Sequence, residues 1–146
     1  MNDIRLAKRK DVERIAEIVV FNYRLNFYPV FRDDNFYFEE LRISNQMLRY
    51  ANDLDNIWVY DDGVVKGFIL VKDGEVRKLF VEPVLQGQGI GARLLEYAVE
   101  HMGAQTLWAL EKNEGAIRFY QRHGFRLTGE RWLEDGTSEY LVRMEK

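Results

Sequence analysis

The stretch Gln86-Gly87-Gln88-Gly89-Ile90-Gly91 constrains the fold of this chain more than any other part of the sequence. It follows a predicted β-strand, Glu75 to Val81, and precedes apolar side chains that recur at helical spacing from Ile90 to Met102. A strand must therefore end in a glycine turn that opens a helix. The first turn of a helix carries unpaired N–H groups and the positive end of the helix dipole, and glycines let a bulky anion approach them. The segment from Gln86 to Ala92 is thus a candidate phosphate site.

Three kinds of anion site, and a glycine turn without chemical meaning, compete for this segment. A P-loop for nucleoside triphosphates ends in Gly-Lys-Ser/Thr, and this chain has Ala92 where the lysine is required. A dinucleotide fingerprint would use Gly87, Gly89 and Ala92, but it needs a parallel βαβ unit, and the preceding strands are predicted to be antiparallel hairpins. A pyrophosphate site of the coenzyme A type has the pattern Gln/Arg-x-x-Gly-x-Gly/Ala, and the segment from Gln86 to Gly91 matches it at every position.

The remaining elements indicate one mixed α/β domain. The chain has 146 residues, which suits a single core covering residues 1–146. Asp11 stands at the N-cap position of a first helix, and Phe21 to Phe38 is predicted to be irregular, with eight of the twenty aromatic residues. Three strands joined at Asp61-Asp62-Gly63 and Asp73-Gly74 form a predicted antiparallel meander. The complete order of elements is β α α β β β α β α β β, around one sheet.

Composition excludes several classes of function. There is no cysteine, so disulfides, thiolate metal sites and a cysteine nucleophile are ruled out. A net charge of −3 argues against a nucleic-acid binder, which normally carries a basic excess. No apolar run approaches the roughly 18 residues of a membrane span, and the charged first ten residues lack the apolar segment of a secretory signal. We therefore expect a cytoplasmic protein without a membrane partner.

A second motif lies downstream of the glycine turn. The run Trp108-Ala109-Leu110-Glu111-Lys112-Asn113-Glu114-Gly115-Ala116-Ile117-Arg118-Phe119-Tyr120 is followed by His123-Gly124-Phe125. Together with the first motif and the order of elements, this run resembles the GNAT superfamily of N-acetyltransferases, and the resemblance spans nearly the whole chain. It implies a mixed sheet of about seven mostly antiparallel strands with four helices, and acetyl-coenzyme A as the acetyl donor.

The resemblance also implies which residues bind the coenzyme. Main-chain groups at the end of the strand would pair with the pantetheine arm as an added strand edge does, and the glycine turn would hold the pyrophosphate. The expected coenzyme-binding residues are Phe80, Val81, Gln86, Gly87, Gln88, Gly89, Ile90, Gly91, Ala92, Asn113, Ala116 and Tyr120. The main-chain N–H of Val81 is the expected donor to the thioester carbonyl.

Acetyl transfer to an amine needs a proton acceptor and a proton donor. An alkyl amine has a pKa near about 10.4, so a base or an ordered water must remove its proton at neutral pH. The resemblance implies Glu75 as the base, because its spacing to Gln86 is similar to that of the base-bearing glutamate in family members that place it on this strand. Glu111 or water is in reserve, and Glu75 also suits a solvated position beside a turn. Tyr120 matches the family tyrosine that protonates the leaving thiolate, although an ordinary core tyrosine would occupy the same helix face.

The acceptor site is less constrained by the sequence. In the family, the loop between the first two helices and the final hairpin flank the acceptor, which points here to Phe27, Tyr28 and Phe31, with Glu111 nearby. An aromatic wall with carboxylates suits a cationic amine, from a small molecule or a peptide, although these aromatics also suit a core or a homodimer interface. His101 and His123 stand without partners at ligand spacing, so no metal is expected. The alternative function is a catalytically silent coenzyme-binding regulatory module.

Overall fold

The computed structural model describes residues 3–146 and is built around one seven-stranded sheet with the strand order β1-β2-β3-β4-β5-β7-β6. Every neighbouring pair is antiparallel except β4 and β5, which are parallel. The mostly antiparallel mixed sheet expected from the sequence is confirmed. The strands are β1 (Ile4–Leu6), β2 (Ile57–Asp61), β3 (Val65–Lys72), β4 (Glu75–Val81), β5 (Thr106–Leu110), β6 (Arg126–Leu133) and β7 (Tyr140–Glu145).

Four helices of eight or more residues match the four predicted from the sequence. Within residues 3–146 the structure adds a four-residue helix, a π-helix and three 3₁₀ turns that were not predicted, the turns being Arg9–Asp11, Leu54–Asn56 and Pro83–Leu85. The helices are α1 (Val12–Asn26), α2 (Tyr28–Phe31), α3 (Ile43–Tyr50), α4 (Ile90–His101) and α5 (Glu114–Arg122), with a π-helix at Phe36–Glu40. The prediction that residues 21–38 are irregular is therefore wrong. Their aromatic side chains pack against buried Val20, Tyr37 and Leu41, and this cluster holds the segment in short helical turns.

The two predicted hairpin turns join the meander as expected. Asp73 and Gly74 have φ values of +53° and +78° between β3 and β4, and Gly63 has a φ of +125° between β2 and β3. These left-handed conformations are the ones that favour glycine and aspartate in tight turns. The antiparallel meander β2-β3-β4 is confirmed.

Asp11 occupies the N-cap position of α1, but its side chain makes no cap hydrogen bond to the helix. Its carboxylate instead accepts from the Lys8 backbone N–H at 2.8 Å and from both terminal nitrogens of Arg5 at 2.8 and 2.9 Å. Burial works against the charged carboxylate, yet these hydrogen bonds hold the pKa of Asp11 below its ordinary value. Asp11 therefore ties the start of α1 to strand β1.

Both faces of the sheet are covered by helices. Because successive side chains of a strand point to opposite faces, Phe68 of β3 packs among side chains of α1 and α3, whereas the adjacent Ile69 packs in the cluster that contains α4.

Within residues 3–146, no helix combines the length and the apolar character that crossing a bilayer requires.

Strands β4 and β5 separate soon after they begin, and this separation positions the site. Their parallel pairing covers only Glu75 with Thr106 and Val76 with Leu107. On its other edge, β4 contains a bulge opposite β3. Lys78 pairs with Leu70, and Val76 pairs with Val71, the next residue of β3. Arg77, between Val76 and Lys78, therefore has no pairing partner on β3. The second half of β4 therefore borders a gap in the sheet.

Candidate active site

A cleft of about 640 Å³ lies between the end of β4, the glycine turn and α5. We name it the coenzyme cleft, after the residues expected to bind coenzyme A. Of the twelve residues expected to bind coenzyme, all but Gln88 line it. The eleven are Phe80, Val81, Gln86, Gly87, Gly89, Ile90, Gly91, Ala92, Asn113, Ala116 and Tyr120. The fold therefore brings the two sequence motifs to one cleft, and the exposed Gln88 lies beside it.

The glycine turn is shaped to admit a bulky ligand. Gly87 and Gly89 both have a φ of +83°, and a Cβ built on either would have no heavy atom within 4 Å. Gly89 is the N-cap of α4, and its carbonyl accepts from the Arg93 N–H at 3.1 Å. Side chains here would fill the open space in front of the helix N-terminus, so the residues present fit a pyrophosphate group.

Gln86 lines the cleft, and its side chain also joins the glycine turn to α1. Its side-chain amide donates to Asn22 Oδ1 at 3.1 Å and to the Val81 carbonyl at 3.3 Å. Asn22, on α1, is buried and donates to the same carbonyl at 2.9 Å and to the Ile18 carbonyl at 2.9 Å. Gln86 and Asn22 thus fasten the glycine turn to α1. Sequence analysis missed Asn22, although an asparagine within an apolar helical stripe was a usable signal.

The backbone of β4 presents hydrogen-bonding groups to the gap. The Glu82 N–H donates to the Lys66 carbonyl at 2.8 Å, so by the antiparallel alternation the backbone of Phe80 bonds to β3. The backbones of Leu79 and Val81 therefore face the opposite way, toward the gap. Phe80 lines the cleft, but its backbone groups are directed to β3, so Leu79, which the sequence analysis did not select, presents backbone groups to the gap.

Tyr120 lies where the coenzyme cleft meets the gap between β4 and β5. Its ring packs edge-on against Phe119 and Phe125, with centroid separations of 5.3 and 5.9 Å. Burial raises the pKa of its phenol above the ordinary value, because the charged form would lose its solvation. No side chain or carbonyl in the described part of the chain hydrogen-bonds this hydroxyl. The phenol is therefore protonated at neutral pH and free to donate.

Helix α5, which carries Tyr120, begins at a capped residue. The Asn113 side-chain oxygen accepts from the Ala116 N–H at 3.1 Å, as the sequence predicts for an N-cap. Asn113 and Ala116 also line the gap between β4 and β5. The cap therefore fixes the helix end that faces the coenzyme cleft.

The structure does not bring Glu75 or Glu111 to this cleft. Glu75 lies at the closed end of β4, paired with Thr106, and its carboxylate is 2.7 Å from Arg77 Nε. Val81 lies six residue steps further along β4, a distance of roughly 20 Å at the usual rise per residue. Glu111 receives two hydrogen bonds of 3.0 Å from the Arg131 guanidinium on the surface. Neither carboxylate lines the coenzyme cleft or the cavities beside it.

A second cavity, of about 450 Å³, lies on the other side of Phe27, between the α1–α3 segment and the β6–β7 hairpin. We name it the acceptor cavity. It combines aromatic rings with three carboxylates, and Phe27 also lines the coenzyme cleft. The lining includes Tyr23, Phe27, Phe31, Asp33, Phe36, Tyr37, Glu134 and Asp135.

Two of the four predicted acceptor residues line the acceptor cavity. Phe27 and Phe31 line the acceptor cavity, whereas Tyr28 and Glu111 do not. Tyr28 instead donates to the Asp34 carboxylate and packs against Tyr37. Among residues 3–146, no three histidine, aspartate or glutamate side chains come together as a metal-binding group.

Comparison with known proteins bears on the same residues. The family described as the acetyltransferase (GNAT) domain matches residues 53–127. An uncharacterized N-acetyltransferase of Archaeoglobus fulgidus is 31% identical over 144 residues, covering 85% of this chain and 92% of that protein. Peptidyl-lysine N-acetyltransferase YjaB of Salmonella typhimurium is 35% identical over 81 residues, and this match covers 54% of the chain and 56% of the relative.

Solved structures share the fold. The PaiA N-acetyltransferase of Thermoplasma acidophilum, crystallised in complex with coenzyme A, aligns with a TM-score of 0.69 at 20% identity, covering 98% of each chain. The chain spans about half the length of YjaB, and nearly all of the Archaeoglobus fulgidus protein. With the family model matching half of the sequence and this relative aligned almost end to end, the chain belongs to the GNAT acetyltransferase family.

Proposed function

We propose that the protein is an acetyl-coenzyme A-dependent N-acetyltransferase that moves the acetyl group directly to a primary amine of a small molecule or peptide. The observation that carries the proposal is the meeting of two cavities. The coenzyme cleft, lined by the glycine turn and Tyr120, and the acceptor cavity, lined by aromatic rings and carboxylates, share Phe27. A donor and an acceptor bound there would approach each other across the gap in the sheet.

The coenzyme is held mainly by backbone groups. The N-terminus of α4 faces the space beside Gly87 and Gly89, where a pyrophosphate would meet N–H groups and the helix dipole. The pantetheine arm would lie along the edge of β4 that faces the gap, at the backbone groups of Leu79 and the N–H of Val81, because the Val81 carbonyl already accepts from Asn22 and Gln86. The Val81 N–H is then a donor for the thioester carbonyl, and it would stabilise the negative charge that forms on that oxygen.

The transfer is balanced by two proton movements. The amine nitrogen attacks the thioester carbon, a C–N bond forms and the C–S bond breaks. The leaving thiolate takes the phenolic proton of Tyr120, and the nitrogen loses a proton to water. The Tyr120 phenolate then takes a proton from water, which restores the phenol. Water is preferred to Glu75 and Glu111 because the two carboxylates bond to Arg77 and Arg131 away from the cleft.

The acceptor cavity suits an amine that carries an apolar body. Phe27, Phe31 and Tyr37 offer apolar and aromatic surface, and Asp33, with Glu134 and Asp135 on the hairpin, gives the cavity a negative potential that attracts a cation. The naming of YjaB as a peptidyl-lysine N-acetyltransferase is consistent with such an acceptor.

Calorimetric titration with acetyl-coenzyme A tests the proposal. Wild-type protein should bind it, and Gly89→Glu should abolish binding because a carboxylate would enter the pyrophosphate space. Gly91→Ala is the matched control, since a Cβ there lies 3.7 Å from its nearest neighbours, an ordinary contact. Melting temperatures establish that each variant is folded.

Release of free thiol with a panel of amines then distinguishes an enzyme from a silent module. Steady turnover with at least one primary amine supports the transferase. Tight binding without turnover across the panel would favour the regulatory module. Absence of binding by the folded wild type would contradict both.

A further inference from the structure

A lysine stands between the two cavities where a carboxylate was expected. Lys78, on β4 just after the bulge, lines the gap between β4 and β5 together with Tyr120. Its Nζ donates to the Tyr23 hydroxyl at 2.5 Å, and Tyr23 lines the acceptor cavity. The Tyr23 ring packs edge-on against Phe27, the residue shared by the cavities, at a centroid distance of 5.0 Å. The ammonium therefore lies at the junction that the reacting amine must reach.

The Lys78 ammonium has no carboxylate partner in the part of the chain that the structure describes. The nearest charges along β4, Glu75 and Arg77, neutralise each other. The other titratable groups around the Lys78–Tyr23 pair are of three kinds. Arg77 and Tyr120 line the same gap, and Tyr37 and Tyr50 interact electrostatically with Tyr23. The carboxylate residues that line the acceptor cavity with Tyr23 are Asp33, Glu134 and Asp135. Lys78 thus places a half-buried positive charge at the junction, and none of these three carboxylates forms an ion pair with it.

We propose, on the basis of the transferase function above, that the Lys78 ammonium, held in place by Tyr23, keeps the acceptor amine in its neutral and nucleophilic form. The carboxylates of the acceptor cavity would attract the protonated amine from solution. At the junction, the like charge of Lys78 would favour loss of the amine proton to water before attack. The proton lost before attack passes to the solvent, the later steps of the transfer are those given above, and no protein carboxylate is required as base.

The role has a kinetic signature that a purely structural role lacks. The pH dependence of the transfer rate at saturating amine reports the pKa of the bound amine, whereas the pH dependence of kcat/KM reports the free amine. Lys78→Gln removes the charge and should raise the pKa of the bound amine. The rising limb of the pH profile of the single-turnover rate should then lie about one pH unit higher, and the rate at neutral pH should fall about tenfold. The rising limb of kcat/KM should keep its position.

The controls separate charge from structure. Lys78→Arg keeps the charge and should leave the rising limb of the pH profile at its wild-type position. Tyr23→Phe should move the limb upward by less than Lys78→Gln does, because the ammonium loses its hydrogen-bond partner. Lys72→Gln removes an exposed lysine from the neighbouring strand and should shift nothing. Acetyl-coenzyme A affinity should stay within about twofold in every variant. An unchanged limb in Lys78→Gln, or an equal shift in Lys72→Gln, overturns the proposal.

A binding measurement tests the same inference without turnover. Phenethylamine, a primary amine with an aromatic body, is titrated into coenzyme A-loaded protein at about pH 7 and about pH 9. Wild type should bind it more tightly at the higher pH, as the neutral amine becomes more abundant, and Lys78→Gln should reduce this dependence. An identical pH dependence in both proteins overturns the role of Lys78. If turnover fails while this dependence is seen, the transferase function alone is contradicted.

Discussion

Tyr120 shows how the surroundings of one side chain prepare it for a proton transfer. Its ring packs against Phe119 and Phe125, and its hydroxyl opens to the junction of the cleft and the gap. Burial raises the pKa of the phenol, so the proton is present over the whole physiological range. A departing thiolate would generate its negative charge beside that proton.

Tyr120→Phe should lower kcat by about 10²-fold and leave the Kd of acetyl-coenzyme A nearly unchanged, because the ring still packs and only the proton is lost. Stopped-flow detection of thiol release gives kcat, and calorimetry gives the Kd. Tyr140→Phe is a suitable control, since that ring lies on β7 under the Arg131 guanidinium. Wild-type turnover in Tyr120→Phe would remove the proton-donor role.

At the scale of secondary-structure elements, the starts of two helices define the coenzyme cleft. Helix α4 begins at Gly89 and leaves its first N–H groups open to a ligand, whereas α5 begins at Asn113, whose side chain occupies the Ala116 N–H. The two helices have different tasks. In the proposed function, the N-terminus of α4 binds an anion. The N-terminus of α5 is capped by Asn113, and Tyr120 follows two turns later.

Asn113→Ala should lower the free energy of unfolding by about 1 kcal/mol, because the Ala116 N–H loses its hydrogen-bond partner. The freed helix end should also raise the Kd of acetyl-coenzyme A, since Asn113 lines the cleft. Urea denaturation and calorimetry measure the two effects. Asn113→Asp keeps the cap acceptor and should preserve stability; equal losses in both variants would show that the cap is not the cause.

At the scale of the whole molecule, buried tyrosines link stability to alkaline pH. Burial raises the pKa of Tyr37 to about 12 and raises the pKa values of Tyr50 and Tyr120 further. In the unfolded chain tyrosines ionise near about pH 10. Below that pH both states are protonated and the contribution of these residues is complete; above it the unfolded state loses protons that the folded state retains, so stability falls.

The free energy of unfolding should therefore decrease between about pH 10 and about pH 12, by as much as about 1.4 kcal/mol per pH unit for each buried tyrosine. Denaturant titrations at a series of pH values measure this slope. Tyr37→Phe should reduce the slope by the share of one tyrosine. A free energy of unfolding that stays constant over this range would contradict the linkage.

The sequence alone determined the features that depend on local chemistry. Glycines in the 86–91 turn, Asn113 before α5 and aspartate-glycine pairs in the hairpins act through backbone conformation and nearest neighbours, so their positions predict turns, caps and strands. Both cofactor motifs were readable for the same reason. Strand bounds were close, with β4 predicted from Glu75 to Val81 as observed.

Contacts between side chains from distant parts of the chain depend on the tertiary structure. The family resemblance favoured Glu75 as base, but the pairing of β4 with β5 at Glu75 and Val76 puts that residue at the closed end of the gap. The bulge at Arg77 and the packing of α1 bring Lys78 to Tyr23 instead. Asn22 and Val81 are likewise 59 residues apart in sequence. Register, strand separation and helix packing depend on the whole core, so contacts between distant residues could not be inferred from local sequence patterns.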